Sequence, residues 1–200
     1  MSAADPRPRC AWLGSWATSA DPLYRDYHDT EWGVPCRDER ALFELLCLEG
    51  AQAGLSWITV LKKRENYRAA FRHFDIEYIA TLGEADVERL MQNPGIIRNR
   101  AKILATIGNA RAWLALRARE GDVAAYLWRF AAQAADRVPP AGIGDIPART
   151  AASDALSKAL LKDGFKFVGS TICYAFMQAS GMVNDHTPDC FCHPRHSESL

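Results

Sequence analysis

Metal-ligating residues crowd the C-terminal stretch, where His186, Cys190, Cys192, His193 and His196 follow one another closely. The His186-x3-Cys190 spacing brings two soft ligands within reach of one ion, and tetrahedral zinc asks for four. The familiar C-x2-C knuckle is missing, so two further ligands would come from far away in sequence, with Cys10 and His28 the candidates near the other terminus. Four protein ligands leave no open position for water, so such a site would be structural. The spacing is equally compatible with buried thiols at Cys190 and Cys192 and a solvated tail bearing His193 and His196.

A second chemistry-bearing residue is Glu49, set in the apolar run from Leu45 to Trp57. A carboxylate in such a run either reaches solvent at a helix end or sits in a pocket, where its charge is costly unless a donor or cation compensates. Gly50 and Gly54 remove side-chain bulk, so backbone could approach a planar ligand beside Trp57. Upstream, Tyr24 and Tyr27 stand three residues apart and share a face if this stretch is helical. With Trp57 or Trp12 they could form a slot for a flat ring; aromatic residues at this spacing serve equally well as core.

Two features suit a phosphate-bearing partner. Seven basic residues and no acidic one lie between Arg89 and Arg119, with Arg98, Arg100 and Lys102 following a Pro94-Gly95 turn. A solvated helix face would look the same. The stretch Gly164-Phe165-Lys166-Phe167-Val168-Gly169 reads as a tight turn between helices that can present backbone N–H groups and one lysine to a phosphate. Such turns also join helices with no ligand at all.

The elements that must carry these residues read as helical throughout. The 3.6-residue period predicts two helices between Asp38 and Phe71, broken near Gly50 or Gly54. Asp86 to Met91, the segment from Ile97 to Ile107, and Asp122 to Ala132 continue the pattern. A Pro/Gly-rich loop from Asp136 to Thr150 could join two lobes, and a final pair of helices, Ser153 to Leu161 capped by Ser153 or Asp154 and Thr171 to Ala179, flanks the glycine turn. No sustained alternation of period two appears, so the expected class is all-α.

Composition bounds the rest. The 200 residues are 48% apolar and 24% charged, which suits one compact folded domain and excludes disorder for the bulk of the chain. Lys and Arg (24) cancel Asp and Glu (24), so only a local patch could support nucleic-acid binding. No apolar run reaches membrane-spanning length and the N-terminus lacks a signal-peptide core, so a cytoplasmic protein with no membrane partner is expected. Six cysteines in a reducing compartment then point to packing, metal binding or reactivity rather than disulfides.

Four stretches together, Tyr27 to Pro35, Leu48 to Arg64, Gly95 to Arg100 and Phe165 to Tyr174, resemble the bacterial 3-methyladenine DNA glycosylase I family, a branch of the helix-hairpin-helix glycosylases. The resemblance spans Cys10 to Cys192 and implies a two-lobed, all-α glycosylase fold, with residues 1–200 forming a single catalytic domain and the helix-hairpin-helix near 153–180. It implies one structural zinc on Cys10, His28, His186 and Cys190 tying the termini together near 10–28 and 186–190, and no organic cofactor. It also implies a base pocket of Glu49, Tyr24, Tyr27 and Trp57 with Trp12 beside it, Glu49 being the catalytic candidate.

DNA backbone contacts would then fall on Gly164, Lys166, Gly169, Arg98 and Arg100. The partner implied is double-stranded DNA containing alkylated adenine, bound by a monomer. Extra residues around Ser15 to Ser19 depart from the family pattern. So does Asp185, which in Val183-Asn184-Asp185-His186 is one place displaced from the Val-Asp-x-His setting of the wider superfamily's catalytic aspartate, an aspartate this branch generally lacks. Two other classes compete: a non-catalytic zinc-stapled DNA-binding module, and a small-molecule enzyme for a cationic heterocycle.

Overall fold

The structure, a computed structural model, describes residues 7–14, 21–132, 134 and 140–197, and these contain helices and no strands. Side-chain oxygens start most of the helices by accepting from backbone N–H groups that have no intrahelical partner. Asp21 caps α1 (Pro22–Thr30), Asp38 caps α2 (Glu39–Gln52), and Asp75 caps the later helix α5 (Ile76–Thr81). Between them lie α3 (Trp57–Leu61) and α4 (Arg64–Ala70). The region from Asp38 to Phe71 therefore forms three helices where periodicity predicts two. The first break is at Gly54, whose positive φ of 78° ends the α2 register, and the second is the tight turn at Lys62 and Lys63.

Beyond them run α6 (Glu84–Met91), the 21-residue α7 (Arg100–Glu120) started by Asn99, and α8 (Val123–Ala132). The Asp136 to Thr150 loop is described only from residue 140, where it makes one 3-10 turn, Ile143–Asp145, before α9 (Ala151–Lys162). Thr150 rather than Ser153 or Asp154 caps α9, and Ser153 answers from the third helical position as the reciprocal partner. Helix α10 (Ser170–Ala179) and the short α11 (Pro194–Ser197) complete the chain.

The centre of the core is α2, nine of whose residues, Leu42 to Leu48 and Glu49 to Ala51 with Leu45 excepted, are buried around its full circumference. On one side α7 lies against α2 and α5, with Trp113 buried and its indole donating to Glu39 (2.6 Å). On the other, α10 packs on α2 and α9. The α9–α10 connection is clamped by Asn109 of α7, which accepts from the Lys166 amide (2.8 Å) and donates to the Lys166 carbonyl (3.1 Å). Ser157 donates to the Val168 carbonyl (2.6 Å) from α9. Gly50 makes the packing of α2 on this connection possible: a Cβ there would stand 3.2 Å from Phe167. Its missing side chain makes room for the hairpin, not for a ligand.

The basic stretch is mostly spent inside the protein. Lys102 caps the C-terminal end of α2 by donating to the carbonyls of Ala51 (2.8 Å) and Ala53 (2.7 Å). Arg111 does the same for Ala80 and Leu82 at the end of α5. Arg100 pairs with Glu84 and Glu88, Arg117 with Glu39 and Glu77, and Arg119 with Asp163 and Glu120.

Candidate active site and metal centre

Five separate segments converge on a cleft of about 390 Å³. The first turn of described chain, Ala11–Gly14, contributes Trp12, and α1 contributes Tyr24 and Tyr27, three apart on one helical face as their spacing predicts. Trp32 follows from the turn after α1. Glu49 and Gln52 repeat the three-residue spacing on the last turns of α2, Trp57 opens α3, and Ala175 and Gln178 repeat it again on α10. Ile143, the first residue of the short 3-10 turn, and Ile146, just after it, complete the lining. The rings form two groups. Trp12 lies 5.3 Å from Tyr24 and 5.1 Å from Trp32, and Tyr27 lies 5.3 Å from Trp57.

Glu49 is 3% exposed and its Oε2 has no hydrogen-bond partner among the described residues. Burial pushes its carboxyl up to about 8, because an ion removed from water without a counter-charge is costly. Its place in the last turn of α2 adds to that cost, since the macrodipole disfavours an anion there. The same carboxylate, after burial itself, raises Tyr24 and Tyr27 above the usual phenol range and keeps both neutral. The indole nitrogens of Trp12 and Trp57 are also buried without acceptors among the described residues. Two N–H donors and one carboxylate oxygen are thus left unsatisfied around a single apolar slot. In a folded protein that is the signature of a place reserved for a ligand, and the carboxylate makes a flat, cationic one the best match.

Directly behind Trp12 and Trp32 lies the second cluster. Ligand atoms of Cys10, His28, His186 and Cys190 lie within 4.8 Å of one another, and all four residues are buried. The His186 Nδ1 stands 3.4 Å from the Cys10 sulfur and 3.3 Å from that of Cys190, and His28 Nε2 stands 3.5 Å from Cys190. Tetrahedral zinc would place sulfur and nitrogen ligands about 3.6 Å apart, so the donor set and spacing fit such an ion. The outward nitrogens are fixed too: His28 Nδ1 meets Asp29 (2.8 Å), itself held by Arg9 (2.7 Å), and His186 Nε2 donates to the Trp32 carbonyl (2.9 Å). The hydrogen bond from Cys10, seconded by one from Cys192, favours the thiolate of Cys190.

A family profile described as methyladenine glycosylase matches residues 16–193. The chain belongs to the methyladenine glycosylase family. It is 56% identical over 186 residues to DNA-3-methyladenine glycosylase 1 of Escherichia coli K12, covering 93% of this chain and 97% of that one. A crystal structure of 3-methyladenine DNA glycosylase I superposes with a TM-score of 0.88 at 60% identity, covering 94% of this chain and all of the other. A Tyr-to-Phe variant of another 3-methyladenine DNA glycosylase I, solved in complex with 3-methyladenine, superposes with a TM-score of 0.82 at 35% identity, over 91% and 95% of the two chains.

The expected pocket residues Trp12, Tyr24, Tyr27, Glu49 and Trp57 all meet in one cleft, and the four expected metal ligands meet in one cluster. The backbone-contact candidates divide. Gly164, Lys166 and Gly169 are exposed on the hairpin, and the N-terminus of α10 has no side-chain cap. Arg98 is exposed, whereas Arg100 is engaged by Glu84 and Glu88. Asp185 is fully buried behind the pocket wall, accepting from the Tyr174 hydroxyl and from Gln178 (2.8 Å), so it orients a lining residue and does not itself line the cleft. The Ser15 to Ser19 departure lies outside the described residues.

Sequence reasoning missed Trp32, Gln52, Ala175, Gln178, Ile143 and Ile146. Three-residue spacing from Glu49 points to Gln52, and Trp32 lies in the aromatic stretch that carries Tyr27. Nothing in a Pro/Gly-rich loop marks Ile143 and Ile146 as pocket residues. Among the described residues no helix is long and apolar enough to cross a membrane.

Proposed function

We propose that this protein is a monofunctional DNA glycosylase that hydrolyses the N-glycosidic bond of 3-methyladenine in alkylated double-stranded DNA. The observation that carries this reading is Glu49: a buried carboxylate with an unpartnered oxygen and no counter-ion among the described residues, in a cleft lined by neutral aromatic rings. Methylation at N3 gives adenine a positive charge. A flipped 3-methyladenine would therefore supply the cation the carboxylate lacks, and Tyr24, Tyr27, Trp57 and Trp12 would supply π faces for it. Unmodified adenine carries no charge and gains much less.

The leaving group needs no protonation. The C1′–N9 bond breaks with its electron pair moving to the ring, which neutralises the base. A water oxygen then bonds to C1′, releasing one proton to solvent and leaving an abasic sugar. Glu49 holds the base by accepting from its amine edge and favours the charged reactant electrostatically. The open amides at the start of α10, with Gly164, Lys166 and Gly169, would grip the strand through its phosphates, and Arg98 would add charge to the same surface. Arg100 would serve that surface only by exchanging Glu84 and Glu88 for phosphate.

Residues 1–200 act in this reading as one catalytic domain with two lobes around the cleft, a monomer working in the cytoplasm without an organic cofactor. One zinc would be held by Cys10, His28, His186 and Cys190 in a structural role, joining the two ends of the chain. A zinc-stapled DNA-binding module without catalysis would leave the cleft and its unsatisfied donors without employment. The test is chromatography of bases released from methylated duplex DNA beside an unmethylated control. Release of 3-methyladenine from the first and nothing from the second is expected; binding of both duplexes with no base released would overturn the assignment.

A further inference from the structure

We infer that the metal cluster is also a positioning device for the base pocket, because it carries one wall of the cleft, and that metal occupancy and base binding are therefore coupled. The inference rests on the proposed base-binding role of the cleft.

The two walls are held in different ways. Trp57 and Tyr27 stand on helices α3 and α1, and their rings touch each other. Trp12 sits two residues after the ligand Cys10, in a turn closed by the bond from the Leu13 amide to the Cys10 carbonyl (3.0 Å). Among the described residues its indole nitrogen has no acceptor, and none of their side chains fixes the ring by a hydrogen bond. The rings it rests against fix it instead: His28 at 5.2 Å, Trp32 at 5.1 Å and Tyr24 at 5.3 Å.

The first of these is a ligand of the cluster. The second is fastened to it, for Trp32 packs edge-on against the His186 ring at 4.7 Å and its carbonyl accepts from His186 Nε2. Gly33, with a positive φ of 79°, lets the chain pass so close to His186 that a Cβ there would stand 3.1 Å from the ring. Cys10, His28 and His186 thus place Trp12 and Trp32 through contacts one residue deep. Anything that orders the ligands orders that wall, and by linkage a base pressed against the wall must hold the ligands more firmly.

The experiment uses the zinc-loaded full-length protein and free 3-methyladenine. Zinc release to an excess of a chromogenic chelator is timed with and without saturating base, and base binding is followed separately by tryptophan quenching. Coupling predicts that the base slows release at least about fivefold, the lower end of ordinary allosteric coupling. Trp12→Ala should bind the base less tightly and, with base at a concentration saturating for the variant, lose the protection, whereas Trp57→Phe, also weakened in binding, should keep the protection once saturated. If the base binds and release proceeds at an unchanged rate, the coupling is wrong and the pocket assignment stands. If free 3-methyladenine does not bind at all, the pocket assignment fails and this inference with it. The wild-type release rates decide the matter even if Trp12→Ala does not fold.

Discussion

The two buried polar clusters of this protein lie back to back, separated by the indoles of Trp12 and Trp32, and they are built on opposite principles. Around Cys10, His28, His186 and Cys190 each imidazole has its outer nitrogen engaged, and the four inner donors face one another. Around Glu49 one carboxylate oxygen and two indole N–H groups have no partner among the described residues. The closed cluster spends its polarity on holding two chain ends together. The open one keeps its polarity unspent, at a cost to the free protein that a ligand of the right charge would offset in the proposed reading. Satisfaction of polar groups, more than burial or residue type, separates a structural site from a working one.

The comparison is most severely tested at Cys190. Cys190→Ala should lose the metal and destabilise the fold by several kcal/mol, on the scale of structural zinc sites, read as absent zinc by elemental analysis and a Tm lowered by about 10 °C or more. Retention of stoichiometric metal would remove Cys190 from the ligand set. Glu49→Gln should behave in the opposite way. Excision should fall by about 10²- to 10³-fold in kcat/KM, yet the free protein should gain stability in alkali.

The sign follows from the raised carboxyl. With a folded value of about 8 against 4.5 unfolded, the stability Glu49 allows is complete below pH 4.5 and is lost as pH rises through 8. Glutamine has no such loss, so the variant should exceed the wild type by on the order of 5 kcal/mol at pH 9 and match it near pH 4.5 in paired denaturant titrations. For the wild type, kcat/KM should climb with pH up to about 8, because the free enzyme must lose that proton to attract a cation. A flat profile from pH 6 to 9 would separate Glu49 from recognition of charge.

Smaller effects sharpen the boundary between the clusters. Gly33→Ala places a Cβ at positive φ against the His186 ring and should cost about 1–3 kcal/mol, seen in thermal unfolding together with weaker zinc retention. Smallest of all, Arg98→Ala should weaken DNA binding evenly across sequences and reduce the salt slope by about 0.9. Arg100→Ala, already paired with Glu84 and Glu88, should leave that slope nearer its original value; equal slopes lost in both would mean that the Arg100 pairs open on DNA.

Much of the site was legible in the residues because its key members obey local spacing. Tyr24 and Tyr27 share a helical face, and Glu49 stands out as the one carboxylate in an apolar run. His186 and Cys190 sit at ligand spacing, but their partners at the far end of the chain needed the family resemblance or the fold to select them. Helical class was plain from the absence of period two. What stayed hidden was tertiary bookkeeping. The basic run from Arg89 to Arg119 looks like one phosphate-facing surface until Lys102 and Arg111 are found capping other helices and Arg117 and Arg119 paired with distant carboxylates. Ile143 and Ile146 reach the cleft only because a loop folds over it, and no periodicity records that. The break at Lys62 and Lys63 carries neither Gly nor Pro, so the third helix in that region had no local sign.

Glu49 and Gly50 are neighbours in sequence, but one faces the cleft and the other lies against Phe167 of the hairpin. A single turn of α2 therefore acts as a gauge block between the cleft proposed for the base and the hairpin proposed for the strand. Successive helical residues are turned by about 100°, so an insertion or deletion anywhere in that turn would swing the carboxylate out of the cleft while pushing a side chain into the hairpin. Point substitutions can tune either surface alone, but a change of length there would spoil both at once.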